Sequence, residues 1–145
     1  MELSNKSEYA FLALLELASC YSSGESLQIK QMADLQDIPN RYLEQLLATL
    51  RRRGLIKSIR GAKGGYVLAR DPRKITLLEA WSCIEGVDAV PPICEHSPKT
   101  VESQLIQEIW QEAHQAANAV LQKYTLQDLC ERRGTQLHRV LMYYI

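Results

Sequence analysis

Between residues 5 and 69, three short amphipathic segments are followed directly by two apolar runs around a basic, glycine-rich turn. Few folds accommodate that order. In the first segment, 5–21, Tyr9, Leu12, Ala13, Leu17 and Cys20 recur at helical spacing, and Phe11, Leu14 and Leu15 widen the apolar face. Ser22, Ser23 and Gly24 end it. Ser26 is placed to cap a second helix over 27–35, with Leu27, Ile29, Met32, Ala33 and Leu35 on its apolar side. Pro39 suits the first turn of a third helix that runs to about residue 53 and stops at Gly54. Residues 55–60 and 66–69 have strand composition, and Gly61-Ala62-Lys63-Gly64-Gly65 turns the chain between them. Two helices at a tight turn suggest helix-turn-helix, and the hairpin behind them makes it a winged one. The expected class is mainly α.

Thr76 is expected to cap a helix to about residue 85, with Glu79 completing a capping box and Leu77, Leu78, Trp81 and Ile84 packing back on the first unit. Residues 86–98 hold Gly86, Pro91, Pro92, Pro98, Cys94 and His96 and are expected to form a loop. From 99 to 124, Val101, Leu105, Ile109, Ala113, Ala116, Val120 and Tyr124 follow at gaps of three or four. Such a helix is roughly 36 Å long. It either pairs with the same helix of a second copy or folds back on its own domain, and its length favours dimerisation. A final helix is expected around 126–133, followed by an apolar tail, 137–145, packed in the dimer. The resulting division is 1–74 for the winged helix, 75–98 for a linking helix and sensor loop, and 99–145 for the dimerisation helix and tail.

Charge locates a partner. The whole chain balances 17 basic against 17 acidic residues. Residues 1–74 hold 12 basic and 8 acidic, whereas 41–74 alone hold 10 and 2. A locally basic surface in a neutral protein points to an anionic partner such as double-stranded DNA. No apolar run approaches the ~20 residues that span a bilayer, and MELSNKSEYA lacks the basic and apolar regions of a signal peptide. Cysteines 20, 83, 94 and 130 include no CxxC pair. The expectation is a cytoplasmic protein with reduced thiols.

A recognition helix puts its N-terminal residues on base edges in the major groove. Here those are Asn40, Arg41, Tyr42, Glu44 and Gln45, of which Tyr42 also lies on the apolar stripe. Arg51, Arg52 and Arg53 at the far end either contact phosphates or offset the helix dipole. In the wing, Arg60 and Lys63 flank glycines, and Gly64 and Gly65 would allow close approach to a phosphate backbone; an ordinary hairpin turn is the plainer account.

Three blocks carry a resemblance: Leu3 to Ala10, the run Arg41-Tyr42-Leu43-Glu44-Gln45-Leu46-Leu47, and Ser58 to Tyr66. Together, over about residues 1–133, they closely resemble the Rrf2 family of winged helix-turn-helix regulators. The resemblance implies a bacterial homodimeric transcription factor, most simply a repressor, that reads a palindromic operator and dimerises through its long helix. Arg41 and Glu44 match operator-facing positions of the iron–sulfur-sensing members, and Arg60 matches their wing arginine. The usual three-cysteine ligand set is missing: Gln104 and Gln107 stand where those members have cysteine and histidine, and only Cys94 remains in the loop. Glutamine is a poor ligand where thiolates are wanted. Three sensor readings stay open. Cys94 is a redox-sensing thiol; or a 2Fe–2S cluster is held by an unusual set drawn from Cys94, Glu8 and His96; or no cofactor is bound and a protein or small ligand regulates. Cys20, Cys83 and Cys130 are expected to pack in the core. A winged-helix protein–protein interaction module without specific DNA binding is the alternative class. An enzyme built on Cys94 and His96 is not expected, since no orienting third group or catalytic motif accompanies them.

Overall fold

A computed structural model describes residues 2–86 and 100–144. The described elements are α1 (Asn5–Ser19), α2 (Ile29–Gln36), α3 (Asn40–Arg52), β1 (Ile56–Ile59), β2 (Gly65–Leu68), a single 3-10 turn (Pro72–Lys74), α4 (Leu77–Glu85), α5 (Val101–Lys123) and α6 (Leu126–Tyr143). The protein is mainly helical, and its described residues include one two-stranded antiparallel sheet that pairs Ile56 with Leu68 and Ile59 with Gly65.

The apolar spacing of α1 and α3 becomes the core. Ala10, Ala13, Leu14 and Leu17 of α1 pack with Leu43, Leu46, Leu47 and Leu50 of α3, all buried. Leu55, Ile56 and Leu68 from the hairpin, Ile75 and Ile84 from the segment around α4, and Leu126 of α6 close the cluster. The sharp turns come from left-handed residues. Asp37 (φ 53°) ends α2 while buried Ile38 donates its N–H back to the Ala33 carbonyl at 3.0 Å. Gly54 (φ 81°) ends α3 in the same way, with buried Leu55 bonded to the Leu50 carbonyl at 3.1 Å. In both cases a left-handed residue satisfies orphan carbonyls and drives the next apolar residue inward.

Three local expectations are corrected. Ser26 does not cap α2: Gln28 does, in a reciprocal capping box with Gln31. Leu27 lies outside the helix because its backbone bridges Tyr66. Glu79 does not return to the Thr76 N–H; Thr76 accepts from the Glu79 N–H, but the Glu79 carboxylate is taken by the Arg70 guanidinium. The last helix does not stop near 133; it runs through Gly134 to Tyr143.

The C-terminal hairpin of helices is tied to the N-terminal unit in two places. Thr76 and Thr125 form a backbone bridge, with Leu77 N–H on the Tyr124 carbonyl at 2.9 Å and Leu126 N–H on the Ile75 carbonyl at 3.0 Å. The second tie centres on Glu16 of α1, only 9% exposed. Its Oε1 accepts from Gln36 Nε2 of α2 and from Arg133 Nη1 of α6, both at 2.6 Å. Arg133 also donates to the Ser19 hydroxyl, and Cys130 Sγ lies 3.7 Å from that oxygen. A buried carboxylate is tolerable because both a charge and hydrogen bonds meet it.

At the other end of α1, Glu85 accepts from the hydroxyls of Ser4 and Ser7, each at 2.5 Å. These bonds, Ser4 first, hold its carboxyl below the ordinary value of 4.5 against the opposing effect of burial. A group whose folded-state value is depressed stabilises the fold above its unfolded value, and that contribution is lost as pH falls through the folded value. Glu85→Gln is therefore expected to lower the denaturation midpoint at pH 7, with the gap from wild type closing as pH drops below about 4.5. Denaturant midpoints of both proteins from pH 7 to 3 check this; a gap that persists unchanged in acid contradicts it.

Candidate nucleic-acid interface

The leucine stripe of α3 leaves its opposite face in solvent. Asn40, Arg41, Glu44 and Gln45 are exposed, as are Arg51, Arg52 and Arg53 at the other end. Arg41, Gln45 and Arg52 share one side of the helix by spacing, and Arg52 Nη2 reaches the Thr49 hydroxyl at 3.4 Å. Tyr42 is half-buried, its ring edge-on to Tyr9 of α1 at 5.5 Å. It props α3 on α1, in keeping with its place on the apolar stripe. Among the described residues the ion pairs are Arg70–Glu79 and Arg133–Glu16. Arg41, Arg51, Arg60 and Lys63 thus carry no carboxylate partner there and keep their charge for an outside anion.

The wing tip holds Arg60 and Lys63, both exposed, on a turn closed by Gly64 N–H on the Gly61 carbonyl at 2.9 Å. The two following glycines serve the protein's own backbone. A Cβ on Gly64 would stand 2.4 Å from the Ile59 carbonyl oxygen, and one on Gly65 2.5 Å from that of Leu27. Gly61, by contrast, has nothing within 4 Å of its Cβ position, so it is the glycine of this turn open to close approach by a partner.

The predicted dimerisation residues other than Tyr124 lie on α5, none of whose residues is buried. Val101, Leu105, Ile109 and Val120 are exposed, Ile109 at 66%. Ala113 and Ala116 are exposed as well, whereas Tyr124 sits apart at the α5–α6 junction, half-buried with the Arg132 guanidinium 4.6 Å from its ring centre. Ile106 and Trp110 (64% exposed) extend the apolar face and were absent from the expected set. The C-terminal half of α6 adds exposed Leu137, Val140 and Leu141.

Of the sensor candidates, Cys94 and His96 lie outside the described residues. Glu8 is exposed on α1. Gln104 donates its amide to Glu108 at 3.0 Å near the start of α5. No group of three or more His, Cys, Asp or Glu side chains that could hold a metal is gathered among the described residues. The amide oxygens of Gln104 and Gln107 do not fit a cluster held by soft thiolates. Burial pushes the thiols of Cys20 and Cys83 up, with Glu25 and Glu79 respectively adding to it. Cys83 and Cys130 pack against the core.

The profile of the Rrf2 family, described as iron-dependent transcriptional regulators, matches residues 3–132. The chain belongs to the Rrf2 family. CymR of Bacillus subtilis (strain 168) is 34% identical over 143 residues, 99% of this chain and 99% of CymR. IscR of Cereibacter sphaeroides is 43% identical over 86 residues, 59% of this chain and 56% of that IscR. Among solved structures, CymR, the global cysteine regulator of B. subtilis, aligns with a TM-score of 0.78 at 33% identity, over 91% of this chain and 98% of its own. T. potens IscR aligns at 0.76 and 30% identity, over 92% and 88%. This Rrf2 protein is thus a winged-helix, DNA-binding transcriptional regulator and not an enzyme. No helix among its described residues is long and apolar enough to cross a membrane.

Proposed function

We propose that this Rrf2 protein is a homodimeric repressor that reads a palindromic operator with α3 and holds the flanking backbone with its wing. The observation that carries the reading is the exposed face of α3 and the wing tip, where Arg41, Arg60 and Lys63 stand without carboxylate partners among the described residues. Arg41 donates to a guanine edge, Asn40 and Gln45 are suited to adenine, and Glu44 to a cytosine amino group. Arg51, Arg52, Arg60 and Lys63 neutralise phosphates, while Gly61 permits the approach. The unburied apolar face of α5 supports the dimer, and two-fold symmetry of the protein calls for a palindromic site. Cys94 enters the proposal as a redox-responsive thiol, on the strength of its place in the chain between α4 and α5.

The test is fluorescence anisotropy with a duplex selected by the wild-type protein from a random pool. Arg41→Ala is expected to weaken binding about tenfold to a hundredfold and to relax discrimination at one base pair. Arg60→Ala and Lys63→Ala together should weaken all sequences alike and reduce the salt slope by about two. Affinity indifferent to sequence at moderate salt, and unmoved by these changes, would instead favour a protein-docking module.

A further inference from the structure

The wing's tip is not held by its own hairpin alone. Leu27, in the linker between α1 and α2, exchanges both backbone hydrogen bonds with Tyr66: Leu27 N–H to the Tyr66 carbonyl at 3.0 Å and Tyr66 N–H to the Leu27 carbonyl at 2.8 Å. The linker thereby lies against β2 as a third chain of the sheet. Next to this bridge, the hydroxyl of Ser26 donates to the carbonyl of Lys63 at 2.7 Å. That carbonyl belongs to Lys63, one of the two exposed cations at the tip of the wing. The Gly64–Gly65 pair lets the tip lie this close to the linker, since a side chain on Gly65 would strike Leu27. The linker leads directly into α2, the first helix of the helix-turn-helix, so the bond ties the wing to the frame that carries α3.

We infer that Ser26 is a positioning residue for DNA binding: its hydroxyl fixes the orientation of the Lys63 peptide and so presents the Lys63 ammonium to a phosphate. The inference deepens the proposed reading of the wing and rests on it. Ser26 itself touches no DNA in this account. The hairpin bonds fix Gly64 and Gly65, but without the Ser26 hydroxyl the Lys63 carbonyl is left to solvent, and ordering that peptide would be charged against binding at every encounter. A tether already formed in the free protein removes that cost.

The experiment uses the full chain and the selected duplex, read by anisotropy across a salt series, with thermal unfolding run in parallel. Ser26→Ala is expected to raise Kd about threefold to tenfold and to lower the salt slope by about one, as Lys63→Ala does. Ser26→Thr, which keeps the hydroxyl, is expected to restore both. The decisive variant combines Ser26→Ala with Lys63→Ala. If Ser26 works through Lys63, the double variant binds like Lys63→Ala alone. Multiplying losses would overturn the inference, as would an unchanged Kd in Ser26→Ala while Lys63→Ala is impaired. A lowered melting temperature with an unchanged salt slope would also overturn it, marking Ser26 as merely structural. If Lys63→Ala and Arg60→Ala are both silent, the wing reading itself falls, an outcome distinct from failure of Ser26 alone.

Discussion

Ile109→Glu is expected to convert the protein to a monomer and to raise the operator Kd by at least about a hundredfold. Ile109 sits midway along α5, flanked on one face by Leu105, Ile106, Trp110 and Ala113, all exposed in the single chain. α5, 23 residues long, packs against α4 but buries none of its side chains there, so its apolar face is left uncovered by the described part of its own subunit. If a second copy covers this face, a carboxylate at position 109 is buried without a partner, and symmetry places it there twice. Each such burial costs several kcal/mol. DNA affinity follows, because a monomer engages one half-site and forfeits the gain from linking two. Sedimentation velocity and anisotropy on the same preparation check both parts. Circular dichroism should be unchanged, since Ile109 contributes nothing to the core. A dimer that survives the substitution, or a monomer that binds as tightly as wild type, contradicts the arrangement.

Much of the architecture was legible because it is written in periodicity. The leucines of α3 recur at three and four, so the polar complement at Asn40, Arg41, Glu44 and Gln45 had to face solvent. The stops at Asp37 and Gly54 fall where the apolar pattern breaks. What escaped notice depends on distant chain. Ser26 has the look of an N-cap, and only the wing's return, 37 residues later, gives its hydroxyl another use. Gly134 resembles a stop, yet a single glycine costs about 1 kcal/mol in a helix, and α6 continues through it. Glu16, between Leu15 and Leu17, is a charge inside an apolar run, which is itself a pointer to a buried partner. The partner, Arg133, is 117 residues away, beyond the reach of any local pattern.

The glycines of the wing show the limit for the site. A glycine spared for a ligand and a glycine spared for the protein's own backbone look the same in sequence. Gly64 and Gly65 were expected to admit DNA; the space beside each is filled by carbonyl groups of the chain itself. On α5 the exposed face was readable in the spacing while its width was not. Spacings of four follow one side of the helix, whereas Ile106 and Trp110 lie one residue further round and join the apolar face only when its full width is seen.

Gly65→Ala is accordingly expected to damage stability and DNA binding together, and more than a methyl added at Gly61, which has open space around it. Gly65 has φ 157°, and its Cβ would lie 2.5 Å from the oxygen and 2.7 Å from the carbonyl carbon of Leu27, and 3.1 Å from the Gln28 nitrogen. All three are backbone atoms, so no side chain can swing aside. The methyl fits only if the Leu27–Tyr66 bridge opens, which breaks its two hydrogen bonds and frees the linker. Overpacking and lost bonds together should cost about 2–4 kcal/mol. For a chain of this size that lowers the melting temperature by roughly 5–12 °C. The wing, detached from the frame of α2, should lose the contribution of Arg60 and Lys63 to the salt slope. Gly134→Ala supplies the counterpart: its Cβ meets nothing within 4 Å, it lies inside α6, and alanine there should raise stability by up to about 1 kcal/mol. Differential scanning calorimetry on both variants, beside anisotropy, decides the matter. If Gly65→Ala melts and binds like wild type, the linker does not lie against the wing, and the tether through Ser26 loses its frame.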